Sequence, residues 1–364
     1  MLDVPLALTL GAPLPAFSLP ALLLALAARR RRRVRDLAAA DAAAPGTGAG
    51  AAPAVAGVLV GRTEPASGVV SLRLAAADGS ALPSWEPGAH VDLHLPSGRV
   101  RQYSLHGDAA DRSGYEVSVL HDPAGRGGSA EVHALPVGAR VGIGLPRNRF
   151  PLVDAPAYLF VAGGIGITAL LPMIEAVAAA GAPWRLVHRG RARSGMAFAD
   201  DLEARHPDRV RVLPGDTTPR PDLPALLRSV PAGGAVYCCG PPGLLDAVAA
   251  AMLTACPQGE LHVERFAAPA PVHGRDTAFR VVLPRAGTVV DVPAGRSMLA
   301  SLRGALPGTP ASCETGVCGS CVMRVLAGRP DHRDDVLLGA ERDRVDVVYP
   351  CVSRSHDPLL VLDA

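Results

Sequence analysis

The chain has 364 residues and a formal net charge of +2, and this length predicts two or three domains rather than one compact core. The first 36 residues hold six Arg and two Asp, which leaves a net charge of −2 for the remainder and excludes the basic footprint of a nucleic-acid-binding protein. Its seven Cys are an odd count in a long chain, so we expect a reducing, cytoplasmic environment rather than a disulfide scaffold.

Residues 1–54 are predicted to form a disordered N-terminal extension rich in Ala and Arg. Residues 4–28 carry no charge and precede a run of Arg at 29–33, an order typical of a membrane anchor with a basic flank. Four Pro and one Gly interrupt the apolar run, however, and a signal peptide would place its basic residues first. Membrane association stays open as the alternative, and so does an over-extended start site.

Residues 55–153 contain short apolar runs separated by turn residues, without a long helical period. This pattern predicts an antiparallel β-barrel. The predicted strands begin near Gly57, Val69, His90, Val100, Tyr115 and Arg140.

Two stretches of the barrel carry groups suited to a phosphate-bearing aromatic cofactor. In Arg101-Gln-Tyr-Ser-Leu105, a guanidinium can hold a phosphate, a phenol ring can lie against an aromatic ring, and a hydroxyl can bond to a ring nitrogen. The turn Gly125-Arg-Gly-Gly-Ser129 leads into a predicted helix at 130–135, whose N-terminus would attract an anion. An ordinary strand with a surface Arg and a flexible surface loop are the alternative interpretations.

Residues 154–266 alternate between predicted strands and helices, which indicates a parallel sheet with crossover helices and ligands beyond the carboxyl ends of its strands. The segment Gly163-Gly-Ile-Gly-Ile-Thr168 follows one strand and opens a helix, the context that suits a pyrophosphate, although it is not a G-x-G-x-x-G fingerprint. Pro172 in that helix is tolerable only near the first turn. At Cys239-Gly-Pro241, which ends the fourth strand, a thiol can approach a nicotinamide ring; the alternative is a small buried residue before a turn.

A Pro/Ala-rich linker is predicted at 267–276, followed at 277–364 by a small mixed sheet with one main helix. Four Cys in this part follow the spacing C-x4-C-x2-C with the fourth after 29 further residues, the pattern of a plant-type [2Fe-2S] site. The predicted metal ligands are Cys313, Cys318, Cys321 and Cys351. Zinc is the alternative, but zinc sites favour paired C-x2-C knuckles and the chain offers one such pair.

Taken together, these motifs resemble the phthalate dioxygenase reductase family, which includes the reductase component of vanillate demethylase. The likeness covers about residues 55–364 and also involves Pro87-Gly-Ala-His-Val-Asp92, Tyr237-Cys-Cys-Gly-Pro241 and Asp331-His-Arg-Asp334. The resemblance implies a multi-domain fold with an antiparallel β-barrel that binds FMN (55–153), an α/β Rossmann-like NAD domain (154–266) and an α+β β-grasp ferredoxin domain (277–364).

The resemblance also implies which residues meet the cofactors. Arg101, Tyr103, Ser104 and the turn at 125–129 would bind FMN, the segments at 163–168 and 239–241 would meet NADH, and Glu264 and Phe266 would lie near the flavin. Ser104 and Cys239 are the predicted catalytic residues. The predicted cofactor-binding set is Arg101, Tyr103, Ser104, Leu105, Gly125, Arg126, Gly127, Gly128, Ser129, Gly163, Gly164, Ile165, Gly166, Thr168, Cys239, Gly240, Pro241, Glu264 and Phe266.

The function implied is an NADH-dependent reductase that passes electrons through FMN and a [2Fe-2S] cluster to a separate oxygenase, either a Rieske-type aromatic-ring dioxygenase or an O-demethylase. A flavin can accept two electrons as hydride and release them singly, and we expect a monomer. Arg191 and Arg193 leave NADPH open, and Ala169 stands where family members often have Pro. The alternatives are a stand-alone ferric or quinone reductase and a non-enzymatic iron–sulfur electron carrier. His188 and His262 are expected to be core histidines.

Overall fold

The structure, a computed structural model, describes residues 53–266, 276–337 and 339–364. The predictions for the N-terminal extension and for the linker therefore lie almost wholly outside the described residues. Within those three ranges, no helix combines the length and apolar character needed to cross a bilayer.

The first module is an antiparallel sheet with the strand order β4-β3-β6-β1-β2-β5 and with β7 paired to β3. A bridge between His106, just after β4, and Glu116 on β5 joins the two ends of this order, so the sheet curls into a barrel. Fully buried side chains such as Leu59, Leu72 and Ile143 fill it. Its elements are β1 (Val55–Ala66), β2 (Val69–Ala76), β3 (Ala89–His94), β4 (Val100–Ser104), β5 (Tyr115–Leu120), α1 (Gly128–Ala134), β6 (Arg140–Ile143) and β7 (Arg147–Asn148).

The second module is a parallel sheet with the order β10-β9-β8-β11-β12, covered by helices on two apolar cores. Strand β12 was not predicted, because its sequence Glu-Leu-His-Val-Glu is short and polar at both ends. Pro172 lies in the second turn of α2, one turn later than we expected for a tolerated Pro. The elements are β8 (Tyr158–Gly163), α2 (Ile167–Ala179), β9 (Trp184–Gly190), α3 (Ala199–Arg205), β10 (Val210–Pro214), α4 (Leu223–Arg228), β11 (Ala235–Cys239), α5 (Pro242–Ala255) and β12 (Glu260–Glu264).

The third module is a mixed sheet with the order β14-β13-β19-β15-β17, in which β13 and β19 are parallel, plus the pair β16-β18. Its helix α6 is shorter than predicted and starts where Ser297 Oγ accepts a hydrogen bond from the Ala300 N–H at 3.1 Å, an N-cap. The elements are β13 (Phe279–Leu283), β14 (Thr288–Val292), α6 (Met298–Leu302), β15 (Met323–Ala327), β16 (Pro330–Asp331), β17 (Val347–Val348), β18 (Arg354–Ser355) and β19 (Leu359–Leu362).

We refer to these parts as the barrel module (β1 to β7), the parallel-sheet module (β8 to β12) and the C-terminal module (β13 to β19). All three belong to one compact unit. Strand order in the parallel sheet reverses beside β8, where β9 lies on one side and β11 on the other. That reversal marks the edge where such sheets bind ligands.

Candidate functional site

Three predicted site residues from two modules meet at the carboxyl edge of the parallel sheet. Cys239 ends β11, and strand register places it between Ala162 on β8 and Glu264 on β12. Ser104 ends β4 of the barrel and lies close enough to Glu264 for its hydroxyl to influence the carboxyl pKa. The structure therefore brings the predicted catalytic pair, Ser104 and Cys239, to one place around Glu264.

Burial controls the charge of this cluster. It raises the pKa of Glu264 to about 8, although the neighbouring Ser104 hydroxyl opposes the rise, so the carboxyl is predominantly neutral at pH 7. The pKa of the fully buried Cys239 thiol is well above its usual value, chiefly through burial and then through Glu264 and Cys238. Cys239 is therefore not a thiolate nucleophile, and its small neutral side chain can lie against an aromatic ring.

Several polar atoms around the cluster are buried without a hydrogen-bond partner among the described residues. They include Ser104 Oγ, Glu264 Oε2, His90 Nε2 and Gln102 Nε2. Buried polar groups normally have partners, so this face of β3 and β4 fits a ligand that carries its own donors and acceptors. The ring system of a flavin is such a ligand.

His90 and Gln102 are site residues that the sequence reasoning missed. His90 pairs with Ser104 across β3 and β4, and paired residues share a face of the sheet. Burial lowers the pKa of His90 to about 3, and Arg147 adds to this effect, so the imidazole is neutral. The strand alternation could have suggested these residues had the β3-β4 register been known.

At the glycine turn of the barrel, α1 begins at Gly128, two residues before the predicted start, with Gly127 at φ 77°. A Cβ on Gly128 would lie 2.3 Å from Arg101 Nε, so a larger residue there would displace the Arg101 side chain from its path across this turn. The guanidinium of Arg101 bonds to the Val100 carbonyl at 2.8 Å and to the Arg126 carbonyl at 3.4 Å. A cation lying over a glycine-rich turn fits the phosphate of a flavin mononucleotide.

Two predicted residues of this turn direct their side chains elsewhere. Ser129 Oγ accepts from the Asp122 N–H at 3.0 Å, and Arg126 reaches the carbonyl of Cys313 and the carboxylate of Glu314 in the C-terminal module. At the turn itself, Arg126 and Ser129 therefore contribute only their backbone. Leu105 is fully buried in the barrel core, whereas Phe266 lies 42% exposed after β12.

The glycines at the end of β8 and in the turn that follows have two different roles. A Cβ on Gly163 would lie 2.5 Å from Pro241 Cδ, and one on Gly166 would lie 2.3 Å from the Cys239 carbonyl oxygen, so these two let the turns after β8 and β11 pack together. Gly164, at φ 56°, has open space where a Cβ would be. The open backbone at Gly164 is the part of the turn that a pyrophosphate can approach.

Side chains around this turn hold its shape. The hydroxyl of Thr168 is buried and donates to the Ile165 carbonyl at 3.0 Å, and His188 Nε2 lies 3.1 Å from the Gly164 carbonyl oxygen. Burial lowers the pKa of His188 to about 4, so the neutral imidazole donates. The expected core position of His188 is observed, but its contact is with the predicted NAD-binding turn.

The four predicted cluster ligands form two pairs of neighbouring thiols, Cys313 with Cys318 and Cys321 with Cys351. None of the described Cys forms a disulfide, and in the described ranges no three metal-binding side chains converge for a single ion. Two thiols for each of two iron atoms is the donor set of a [2Fe-2S] cluster.

Backbone donors favour the charged form of the outermost ligand. The pKa of Cys313 falls to about 5, chiefly through Cys318 and with help from the N–H groups of Thr315 and Val317, against the effect of burial. The Thr315 N–H lies 3.3 Å from Cys313 Sγ. The loop turns at Gly316 and Gly319, whose φ values are 80° and 70°, angles that Gly adopts freely.

The cysteine loop lies against the same barrel strand that leads to Glu264. Ser312 Oγ donates to the Val100 carbonyl at 3.5 Å, at the opposite end of β4 from Ser104. The strand thus links the two sites over roughly 13 Å, the span of a five-residue strand. The fold and the site define a modular electron-transfer reductase, in which a barrel lies between a nucleotide-binding sheet and a ferredoxin module.

Comparisons with known proteins agree with this class. The family model described as 2Fe-2S iron-sulfur cluster binding domain matches residues 282–356. The phenoxybenzoate dioxygenase subunit beta of Ectopseudomonas oleovorans is 43% identical over 80% of this chain and 91% of its own length. The vanillate O-demethylase oxidoreductase of Pseudomonas sp. strain HR199 is 42% identical over 82% of this chain and 96% of its own length.

Among solved structures, phthalate dioxygenase reductase is 36% identical with a TM-score of 0.67, covering 85% of this chain and 98% of that one. An intact type IV self-sufficient cytochrome P450 monooxygenase is 40% identical with a TM-score of 0.74 over 85% of this chain, but this chain spans only 41% of its length. The chain belongs to the phthalate dioxygenase reductase family. The predicted fold class is confirmed, and so is the prediction that the chain is an oxidoreductase.

Proposed function

We propose that this chain takes electrons from NADH at the carboxyl edge of the parallel sheet and delivers them, through FMN and a [2Fe-2S] cluster, to a separate oxygenase. The observation that carries the proposal is strand β4. Ser104 at one end meets Glu264 beside Cys239, and Val100 at the other end meets the cysteine loop. A cofactor lying along this strand would touch both sites.

The residues present fit each group. Arg101 and the backbone of the turn at 125–129 would hold the phosphate of FMN, while Ser104, Gln102 and His90 would meet the polar edge of its ring. Gly164 and the turn at 240–241 would meet NADH. A flavin held by these residues would supply the chemistry to take a hydride from a nicotinamide and to release electrons singly, as a [2Fe-2S] cluster requires.

The cluster of Ser104, Cys239 and Glu264 would keep water and charge away from the hydride donor. The burial of Cys239 and of Glu264 Oε2 removes bulk water, and the neutral states of both groups add no charge to the site. Ser104 can reorient its hydroxyl toward a ring nitrogen, because no partner among the described residues holds it. Hydride transfer needs no protein base at the reacting carbon. The side chains of Ser104, Cys239 and Glu264 supply no charged base there.

Arg193 bears on the choice of nicotinamide coenzyme. Its guanidinium binds Asp200 at 2.6 Å and Glu203 at 2.7 Å, so it is engaged by carboxylates rather than poised for a 2′-phosphate. This arrangement supports NADH.

The names of the relatives support an oxygenase as the electron acceptor, since they include a dioxygenase subunit and an O-demethylase oxidoreductase. We infer further that the acceptor is a Rieske-type enzyme acting on an aromatic compound; phenoxybenzoate and vanillate, which appear in those names, are aromatic.

An anaerobic titration with NADH tests the proposal. One equivalent should bleach the flavin absorbance and then produce the electron paramagnetic resonance signal of a reduced [2Fe-2S] cluster in the same molecule. Flavin bleaching without any cluster signal would show that the flavin itself is the exit, and an absence of bleaching would remove NADH as the donor.

A further inference from the structure

Arg126 joins the glycine turn of the barrel to the cysteine loop. Its guanidinium donates to the carbonyl of Cys313, and Nη1 lies 3.4 Å from Glu314 Oε2. The other carboxylate oxygen of Glu314 accepts from Arg303 Nη2 at 2.6 Å. Glu314 is thus held between a cation of the barrel module and a cation that follows α6 in its own module.

The backbone of Glu314 is strained. Its φ is +54°, and Phe198 is the only other non-glycine residue with positive φ in the described ranges. This left-handed conformation crowds any side chain that has a Cβ, whereas Gly adopts it freely. A Glu held here against its preference indicates that its carboxylate has a role that Gly could not fill.

Two further contacts place the cysteine loop on the barrel. Ser312 reaches the Val100 carbonyl at 3.5 Å, and a Cβ on Gly319 would lie 2.3 Å from Arg149 Nη1. Ser312 and Gly319 flank the segment that carries Cys313 and Cys318. Of these contacts, the one through Glu314 is a pairing of opposite charges, so it is the one that salt would weaken.

We propose that Glu314, held by Arg126 and Arg303, is a positioning residue that fixes the cysteine loop against the flavin-phosphate turn and thereby sets the rate at which one electron passes from flavin to cluster. This inference rests on the proposed electron path. The step transfers a single electron, forms no bond, and depends steeply on the distance between donor and acceptor. For this step the Arg126 guanidinium connects the barrel module to the C-terminal module and does not bind the phosphate.

The test compares Glu314→Gln, Glu314→Gly and the control Asp291→Asn, all prepared as holoprotein. Asp291 lies exposed on β14, so its variant changes the net charge equally without touching the loop. Each protein is mixed anaerobically with NADH, and flavin bleaching and cluster reduction are followed as separate phases. Hydrogen exchange across residues 312–320 reports the docking of the loop independently of turnover.

Flavin bleaching should proceed at the parent rate in all variants. The side chains of Arg126, Glu314 and Arg303 are 35–49% exposed, so their pairing is a surface interaction of modest strength. Cluster reduction should therefore slow about twofold to fivefold in both Glu314 variants. Exchange across 312–320 should speed up in both. At about 1 M salt, where charges are screened within ~3 Å, the parent rate should fall to that of Glu314→Gln.

Glu314→Gly distinguishes a contact between modules from an effect on the conformation of the loop, because Gly relieves the backbone strain while removing the carboxylate. Parent-like cluster reduction in Glu314→Gly or in Glu314→Gln would overturn the proposal. If either variant lost iron, Arg126→Gln, which leaves the cysteine loop intact and removes the cation of the barrel module, would decide: slowed cluster reduction supports the proposal, and an unchanged rate overturns it. A parent protein whose cluster NADH cannot reduce would instead refute the proposed electron path.

Discussion

Ser104 and Glu264, separated by 160 positions in the chain, meet where the end of β4 faces the end of β12. Their contact joins the barrel to the parallel sheet at the point where the thiol of Cys239 also lies. Each partner has a buried oxygen without a hydrogen bond to the described residues, so the pair is complete only when a ligand supplies the missing partners.

This pair predicts how stability depends on pH in the flavin-free protein. Burial raises the folded-state pKa of Glu264 from 4.5 to about 8, so the folded state holds a proton that the unfolded state has released between these values. The stabilising contribution of Glu264 should therefore be full below about pH 4.5 and be lost as pH rises to about 8, by roughly 2–5 kcal/mol. Glu264→Gln should remove this fall in urea unfolding at pH 5 and pH 9. Glu86 is exposed, and Glu86→Gln serves as control; a difference in stability between pH 5 and pH 9 that is the same in Glu264→Gln as in the parent would contradict the assignment.

The second prediction concerns the paired thiols. Cys318→Ser removes one ligand of the Cys313 pair, so the protein should lose the cluster absorbance and its two irons while NADH still bleaches the flavin. Iron and sulfide analysis with visible spectra measures the outcome. Retained cluster absorbance in the variant, or stoichiometric zinc in the parent protein, would refute the cluster assignment.

The third prediction tests the turn at 125–129. A Cβ at Gly128 would displace Arg101, whose Nε lies 2.3 Å from that position, and the loss of a charge-assisted phosphate contact costs about 1.5–3 kcal/mol. Gly128→Ala should weaken flavin binding by about tenfold or more in a fluorescence titration, and the flavin released from the parent should be FMN.

Gly308→Ala is the matched control, because nothing lies within 4 Å of its Cβ position. Equal flavin affinity in the Gly128 and Gly308 variants would show that Arg101 does not hold the phosphate. Recovery of FAD from the parent would mean that the turn meets a pyrophosphate.

The fourth prediction concerns coenzyme choice. Asp200→Asn with Glu203→Gln would free Arg193 from its two carboxylates, and an available guanidinium could then attract a 2′-phosphate. The ratio of kcat/KM for NADPH to that for NADH should rise up to about fivefold, the scale of an exposed ion pair. If adding Arg193→Gln to this double variant left the higher ratio unchanged, Arg193 would not be the group responsible.

Local signals were sufficient to predict much of the fold and to select the candidate site residues. Cys spacing, the Gly-rich turns and the alternation of apolar residues each lie within a few positions of the feature that they specify. Long-range pairings could not be read this way: the contact of Ser104 with Glu264, the shared face of His90 and Ser104, and the reach of Arg126 to Cys313 all depend on how modules pack. The same applies to Ser129, whose position in the turn suggests a phosphate ligand. Its hydroxyl bonds to the backbone of Asp122 instead.

Strand β4 has only five residues, yet a different module contacts each end. Inserting or deleting one residue between Val100 and Ser104 would reverse the facing of every following side chain relative to Val100, so Ser104 would turn away from Glu264 while Val100 stayed at the cysteine loop. The contacts at the two ends of the strand could then no longer form together, although the barrel could still close. The length of this strand should therefore tolerate change far less than its individual side chains do, and attempts to graft a different barrel between these two modules must preserve it.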